Sequence, residues 1–405
     1  MSHKHIPFSG QSKPPETAEG KPKEEVPLWR RLVDAAGITL VAYVLSLLLT
    51  QPFSFSARLM LSSADKNDFR ITDFYNVVAN SRPVSDCDTS IAIVDIAFTE
   101  RSDVTDIIEL LADLNPKAVG VDVTFNEKKE GDDRLIAALN RCPNLVMAVG
   151  VSPTDKRPHK EFVPDDYSYF YNRDCKGKHT HGIINLPTKF EGSTIREFKL
   201  TYRNSNNGEE MSAFPLALAE VAAPEAAREA LRRGNDLETI DFPSREFEII
   251  PWYELPENTD KIANKIVLVG AIGELGDTHA TPIDPRMAGV VIHAHALSTI
   301  LRGHYYTVMP QWLTTALSFL LCFLLCLGNV ALRKNGARAM WMRVVQLLGV
   351  YCIARIGYWL YIDMHVIVDF SYTLLMLLFG FFAVDIWFGI TYYAKPLFEK
   401  FNTNN

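Results

Sequence analysis

The stretch KIVLVGAIGELGDTHATPIDPRMAGVVIHAHALSTIL, Lys265 to Leu301, decides the fold of this chain. IVLVG, Ile266 to Gly270, is an unbroken apolar run of strand length, the pattern of a strand covered on both faces. The loop after it carries Gly270, Gly273 and Gly276, and Pro282, Pro285 and Gly289 postpone a long apolar helix to about Val290. A buried strand followed by a crossing and a helix is the unit of a parallel α/β sheet. The glycine spacing is not GxGxxG, and the helix does not open at the glycines, so the loop lacks the construction that grips phosphate at a helix N-terminus. Glycines that let the loop turn sharply over the sheet edge account for it.

The same alternation runs through the preceding residues. SIAIVDI, Ser90 to Ile96, reads as a buried strand, and Ser102 or Asp103 can cap a helix that puts Val104, Ile107, Ile108, Leu111 and Leu114 on one face before Pro116 ends it. AVGVDVTF, Ala118 to Phe125, is the next strand. A helix opening near Asp132 and Asp133 turns Leu135, Ile136 and Leu139 inward, and NLVMAVGV, Asn144 to Val151, is a third strand. These elements predict an α/β fold with a mostly parallel sheet and helices on both faces. Residues 152–181 are polar and read as a surface insertion or lobe. Arg196 to Arg203 alternates like a half-exposed strand, Phe214 to Ala223 reads as an alanine-rich helix, and Leu237 to Ile250 as an edge hairpin around Pro243.

Four apolar windows, each long enough to cross a hydrocarbon core of about 30 Å, flank this alternation. They predict transmembrane helices over 28–51, 310–333, 342–363 and 366–393, one before and three after a domain spanning 52–309. Arg30 and Arg31 precede the first span; Arg333, Lys334, Arg338 and Arg343 join the second to the third; Lys395 and Lys400 follow the fourth. The turn between the third and fourth offers Asp363 and His365 instead. Positive flanks stay in the cytoplasm, so the expectation is both termini inside and the large domain outside. Residues 1–27, dense in proline, lysine and glutamate, read as a disordered cytoplasmic tail, and 394–405 as a short one. A leader of that length before an apolar core of full spanning length is an anchor rather than a cleaved signal.

The net charge of −7 divides unevenly. Residues 51–309 hold 28 lysines and arginines against 39 aspartates and glutamates, a balance of −11, while the rest hold 13 against 9, or +4. An acidic domain does not track a phosphate backbone, so nucleic acid is excluded as a partner. Of six cysteines, Cys322, Cys326 and Cys352 fall in spans. Cys87, Cys142 and Cys175 leave room for at most one disulfide, the pair left open, and no two lie at zinc-type spacing.

SIAIVDI, AVGVDVTF, the DDRLIAAL helix and above all GDTHATPIDPRMAGVVIHAHALSTIL resemble the CHASE type 2 domain, an extracellular sensory domain of bacterial signalling proteins. The resemblance covers roughly Phe69 to Gly303, and the framing of one span before and about three after is similar. It implies a bacterial inner-membrane protein with a periplasmic sensory domain. Members of that family generally continue into a cytoplasmic kinase or cyclase, whereas this sequence stops at Asn405, about a dozen residues past the last apolar run. The expectation is therefore a sensor or accessory protein that relays to a separate membrane or cytoplasmic partner. The alternative is a structural subunit of an envelope or transport complex with no small-molecule ligand. Self-association fits the likeness to receptors, although no sustained heptad marks an interface.

Ligands of open α/β sheets sit at the C-terminal ends of the strands. Asp95, Asp122 and the 270–284 loop converge there, so Asp95, Asp122, Asp277, Thr278, His279, Asp284 and His293 are the candidate ligand-binding residues. Their oxygens can hold a small polar ligand or a cation; equally, they can cap helices and tie the loop to strand ends. His293 and His295 point about 200° apart on a helix, which sets one against the sheet and leaves the other exposed, with no shared ion. No nucleophile elbow and no zinc-protease helix occurs, so no catalytic residue, metal or cofactor is assigned. In the spans, Arg355 and Asp385 lie on antiparallel neighbours, where Arg355 can reach toward Asp385 in helix packing or partner docking.

Overall fold

Six strands pair in parallel in the order Arg245–Pro251, Asp86–Asp95, Ile266–Gly270, Ala118–Val121, Leu145–Val149 and Thr180–Ile183. The structure, a computed structural model, describes residues 27–60, 70–81, 86–125, 129–153, 161–164, 180–187, 193–242, 245–273, 277–332 and 336–402. The N-terminal tail, most of the 152–181 insertion, Cys175 and the Arg333–Lys334 flank fall outside them. Side-chain alternation splits the sheet into two cores. Ile91, Ile93, Ala118, Val146 and Leu268 face a layer of three helices, Phe214–Ala222, Pro224–Arg232 and Gly289–Arg302. Ala92, Val94, Val119, Val121, Met147 and Val267 face the helices Arg101–Leu114 and Asp132–Arg141 on the other side. Each fully buried Val, Leu or Ile contributes about 1.5–3 kcal/mol, so packing on both faces holds the sheet together. Cys142 is buried with a free thiol, which burial pushes up to about 12.

Local chemistry sets the edges of these elements. Asn115 ends the Arg101–Leu114 helix in the left-handed region, at φ 48°, just before Pro116. At the other end, Asp103 sits two residues inside the helix and accepts from the Glu100 amide at 2.9 Å, so Glu100, not Ser102 or Asp103, is the cap residue. Gly120 lets the Phe214–Ala222 helix settle on the sheet, because a Cβ there would lie 2.8 Å from the Phe214 ring. The hairpin expected over 237–250 does not form. Leu237–Thr239 pairs antiparallel with Glu197–Lys199, while Arg245–Pro251 becomes the parallel edge strand beside Asp86–Asp95. Part of the insertion, Val151–Pro153 with Glu161–Pro164, joins Thr201–Asn204 and Glu210–Ser212 in a four-stranded side sheet.

Four helices are long and apolar enough to cross a membrane: Leu28–Leu48, Gln311–Leu332, Met340–Ile362 and Ser371–Thr391. The first continues as helix to Met60. The fourth begins at Ser371 rather than 366, because Val366–Ile367 pairs in parallel with Thr307–Val308, and the Asp369 carboxylate then accepts from the Ser371 amide at 3.0 Å. The helices pack as a bundle. Trp387 Nε1 donates to Asp34 at 3.0 Å, Tyr43 lies against Phe319, and Ser318 bonds Thr373 at 2.5 Å. Gly37 is required at its crossing, since a Cβ would enter the Trp387 ring.

The α/β domain rests on this bundle through a short helix, Ile71–Asn80. Tyr75 packs on Tyr358 and Tyr361 of the third span, and Asn76 Nδ2 donates to the Tyr361 hydroxyl at 3.0 Å. The opposite side of the helix is fixed to the domain: Arg196 grips Asp73 with two bonds of 2.7 Å, both side chains buried, and Arg70 pairs with Glu197.

Candidate functional site

The strand ends Asp95, Gly270 and Val121 lie side by side, and residues 277–288 lead into the Gly289–Arg302 helix. Asp95 Oδ1 accepts from the amides of Ala97 and Ile272, both at 2.9 Å, and so ties the loop's first residues to the sheet. Thr278 pairs with Ala288 in a two-residue ladder, and the Asp277 carbonyl accepts from the Gly289 amide at 3.0 Å where the helix begins. Asp284 closes a turn: its amide donates to Thr281 Oγ1 at 3.0 Å and its carboxylate accepts from the Arg286 amide at 2.8 Å. Asp95, Thr278 and Asp284 thus do the structural half of what their residue types allow.

The other four candidates form an electrostatic group. Burial and the charge of Asp277 push the Asp122 carboxyl up to about 7, against a smaller opposing influence of His279. His279 Nε2 lies 3.8 Å from Asp277 Oδ1. Burial holds His293 down to about 4, although Asp277 and a hydrogen bond to the Ile184 backbone favour its charged form. Its Nδ1 is buried without a hydrogen-bond partner among the described residues, and such atoms are uncommon in folded proteins. The arrangement gathers two carboxylates, a half-exposed imidazole and a neutral buried one at the sheet's C-terminal end, suited to a small polar or cationic ligand.

Two expectations need correction. His293 and His295 are both buried, at 3% and 2% exposure, because the helix that carries them is enclosed on opposite sides. His293 meets Phe214 edge-on, and His295 meets Phe242 and Phe247. Arg355 and Asp385 make no ion pair among the described residues, and both are exposed on the bundle. Arg355 is seven residues from the domain-side end of its helix and Asp385 fourteen, so at 1.5 Å per residue they differ in depth by roughly 10 Å. Arg355 instead lies over the Tyr358 ring, 5.5 Å from its centre.

A second group was invisible to sequence spacing. Asp241, His304 and His365 offer ligand atoms within 4.8 Å of one another, at the floor of the domain beside the turn between the third and fourth spans. Asp241 and His304 are 63 residues apart, and His365 lies beyond a further two spans. A cavity of about 200 Å³ lies at the same junction, lined among others by Arg70, Asn76, Arg196, Tyr361 and Asp369.

A parallel sheet of six strands, set between flanking spans and carrying a polar group at its C-terminal end, defines a membrane-tethered α/β domain. The chain belongs to the CHASE2 domain family, whose model matches residues 42–330, from within the first span to within the second. Comparisons with curated proteins and with solved structures give no match.

Proposed function

We propose that this protein is a non-enzymatic membrane sensor or accessory subunit whose α/β domain lies on the extracytoplasmic side of a bacterial inner membrane. The domain recognises a small polar or cationic ligand at Asp122, Asp277, His279 and His293, and the spans pass that state to a separate protein partner. The observation that carries the reading is the His293 Nδ1, buried and without a hydrogen-bond partner among the described residues, in the field of Asp277, which also acts on Asp122. The CHASE2 assignment supports a sensory role, the positive flanks Arg30, Arg31, Arg338 and Arg343 support the orientation, and the Ile71–Asn80 helix supplies a physical route from domain to spans.

The test is thermal unfolding of the full chain in detergent against a panel of small polar and cationic compounds. A ligand that binds only the native state adds about 2.7 kcal/mol at a hundred times its Kd. The expected result is a compound that stabilises the wild type and loses most of that effect in Asp122→Asn. No shift across the panel, together with a stable co-purifying membrane complex, would replace this reading with a structural subunit.

A further inference from the structure

Asp241, His304 and His365 come from three separate places in the chain and meet beneath the domain. Asp241 Oδ2 lies 3.1 Å from His304 Nδ1 and 3.9 Å from His365 Nε2. We propose that these three side chains form a site for a divalent first-row metal ion of the zinc type, which ties the turn between the third and fourth spans to the floor of the α/β domain. This site is separate from the group at the strand ends, and the proposal does not depend on what that group binds.

The donor set is the first argument. Two imidazole nitrogens and one carboxylate oxygen suit zinc and its neighbours and suit magnesium or calcium poorly. Zinc bonds of about 2.0–2.1 Å set tetrahedral ligand atoms about 3.4 Å apart. The present separations straddle that value, so closing on an ion needs shifts of about 1 Å or less. The two imidazoles are the more exposed members of the group: His304 and His365 are 39% and 25% exposed, while Asp241 is 5% exposed. The exposed imidazoles also give the ion an entry path.

The surroundings are the second argument. Metal-binding carboxylates are oriented by hydrogen bonds from a second layer. The Tyr306 hydroxyl donates to Asp241 Oδ1 at 3.2 Å, Oδ2 is the oxygen that faces both imidazoles, and the Asp241 amide donates to Thr299 Oγ1 at 3.0 Å. His365 holds a left-handed backbone, φ 52°, uncommon outside glycine. Its carbonyl accepts from the Thr307 amide at 2.8 Å, so the pairing of Thr307–Val308 with Val366–Ile367 presents the ring to Asp241. The three protein ligands leave the fourth tetrahedral position for water. The ion would replace the present contact between Asp241 and His304.

The experiment uses the full chain in detergent, with His3 and His5 changed to Ala so that tail imidazoles take up no metal. After chelator treatment the protein is titrated with Zn2+ by calorimetry and with Co2+ by visible absorption. One ion per chain is expected, with the d–d bands of four- or five-coordinate cobalt and a raised unfolding midpoint in zinc. His304→Gln and His365→Gln should each weaken binding at least about tenfold. Absence of saturable uptake, a cobalt spectrum like that of the aqueous ion, or unchanged affinity in both variants would overturn the proposal. Should either variant fail to fold, the other and the wild-type cobalt spectrum still decide.

Discussion

Asp122 and His293 share the influence of Asp277 and His279, and their protonation shifts drive stability in opposite directions. Asp122, raised to about 7 from an unfolded value of about 3.9, keeps in the native state a proton that the unfolded chain has lost. Its contribution is present at low pH and is lost as pH rises from about 4 to about 7. His293, lowered to about 4 from about 6.5, is neutral where the unfolded chain is charged, so its contribution is lost as pH falls through that window. The two slopes offset each other in the wild type. Relative to wild type, Asp122→Asn should gain stability as pH rises from about 4 to 7, and His293→Gln should gain as pH falls from about 6.5 to 4. Unfolding midpoints measured across that range check both, and parallel curves for all three proteins would refute the assignment. Both residues were legible in the sequence because each stands at a fixed place in a strand–loop–helix unit. The Asp241 group was not, since its members are joined only by tertiary packing.

At the scale of elements, the helix Ile71–Asn80 is clamped on one side and inserted on the other. Arg196 and Asp73 are both buried, at 7% and 8% exposure, and each satisfies the other's charge. Arg196→Met leaves Asp73 buried without its partner, a loss of about 3–5 kcal/mol. Adding Asp73→Leu should recover part of it, because a well-packed apolar pair often replaces a buried ion pair at little cost. Denaturant unfolding of the single and double variants measures this; a loss below about 1 kcal/mol for Arg196→Met would show that the clamp contributes little. The element types were largely readable, because strands buried on both faces are nearly continuous apolar runs and the helices keep their period. Their partners were harder to read. Leu237–Thr239 and Arg245–Pro251 flank Pro243 as a hairpin would, yet each finds a better surface elsewhere, one beside Glu197–Lys199 and one at the sheet edge. Neither surface is close in sequence.

Across the whole molecule, the sheet, its tethering helix and the bundle form a continuous chain of contacts. The crevice residues reach the bundle through the Gly289–Arg302 helix, whose Thr299 holds Asp241 and whose end leads through Tyr305 and Tyr306 into the second span. Tyr306 stacks on Tyr361 with ring centres 4.7 Å apart, and Tyr361 bonds Asn76. The general plan of one domain between an anchor and three further spans was readable from hydropathy alone. The floor of the domain was not, because Val366–Ile367, which pairs with Thr307–Val308, reads in the sequence as the start of the fourth span.

That floor includes the pairing of Thr307–Val308 with Val366–Ile367. Two residues on each side turn the connection between the last two spans into an outrigger of the domain, so a change of tilt in those spans is a change of load on the sheet. Coupling between sites is reciprocal. If ligand at Asp122 shifts the spans, then lipid that shifts the spans must alter the ligand's affinity by the same factor. Bilayers with short and long acyl chains impose different tilts, and binding measured in each should differ, whereas equal affinities would uncouple the crevice from the membrane.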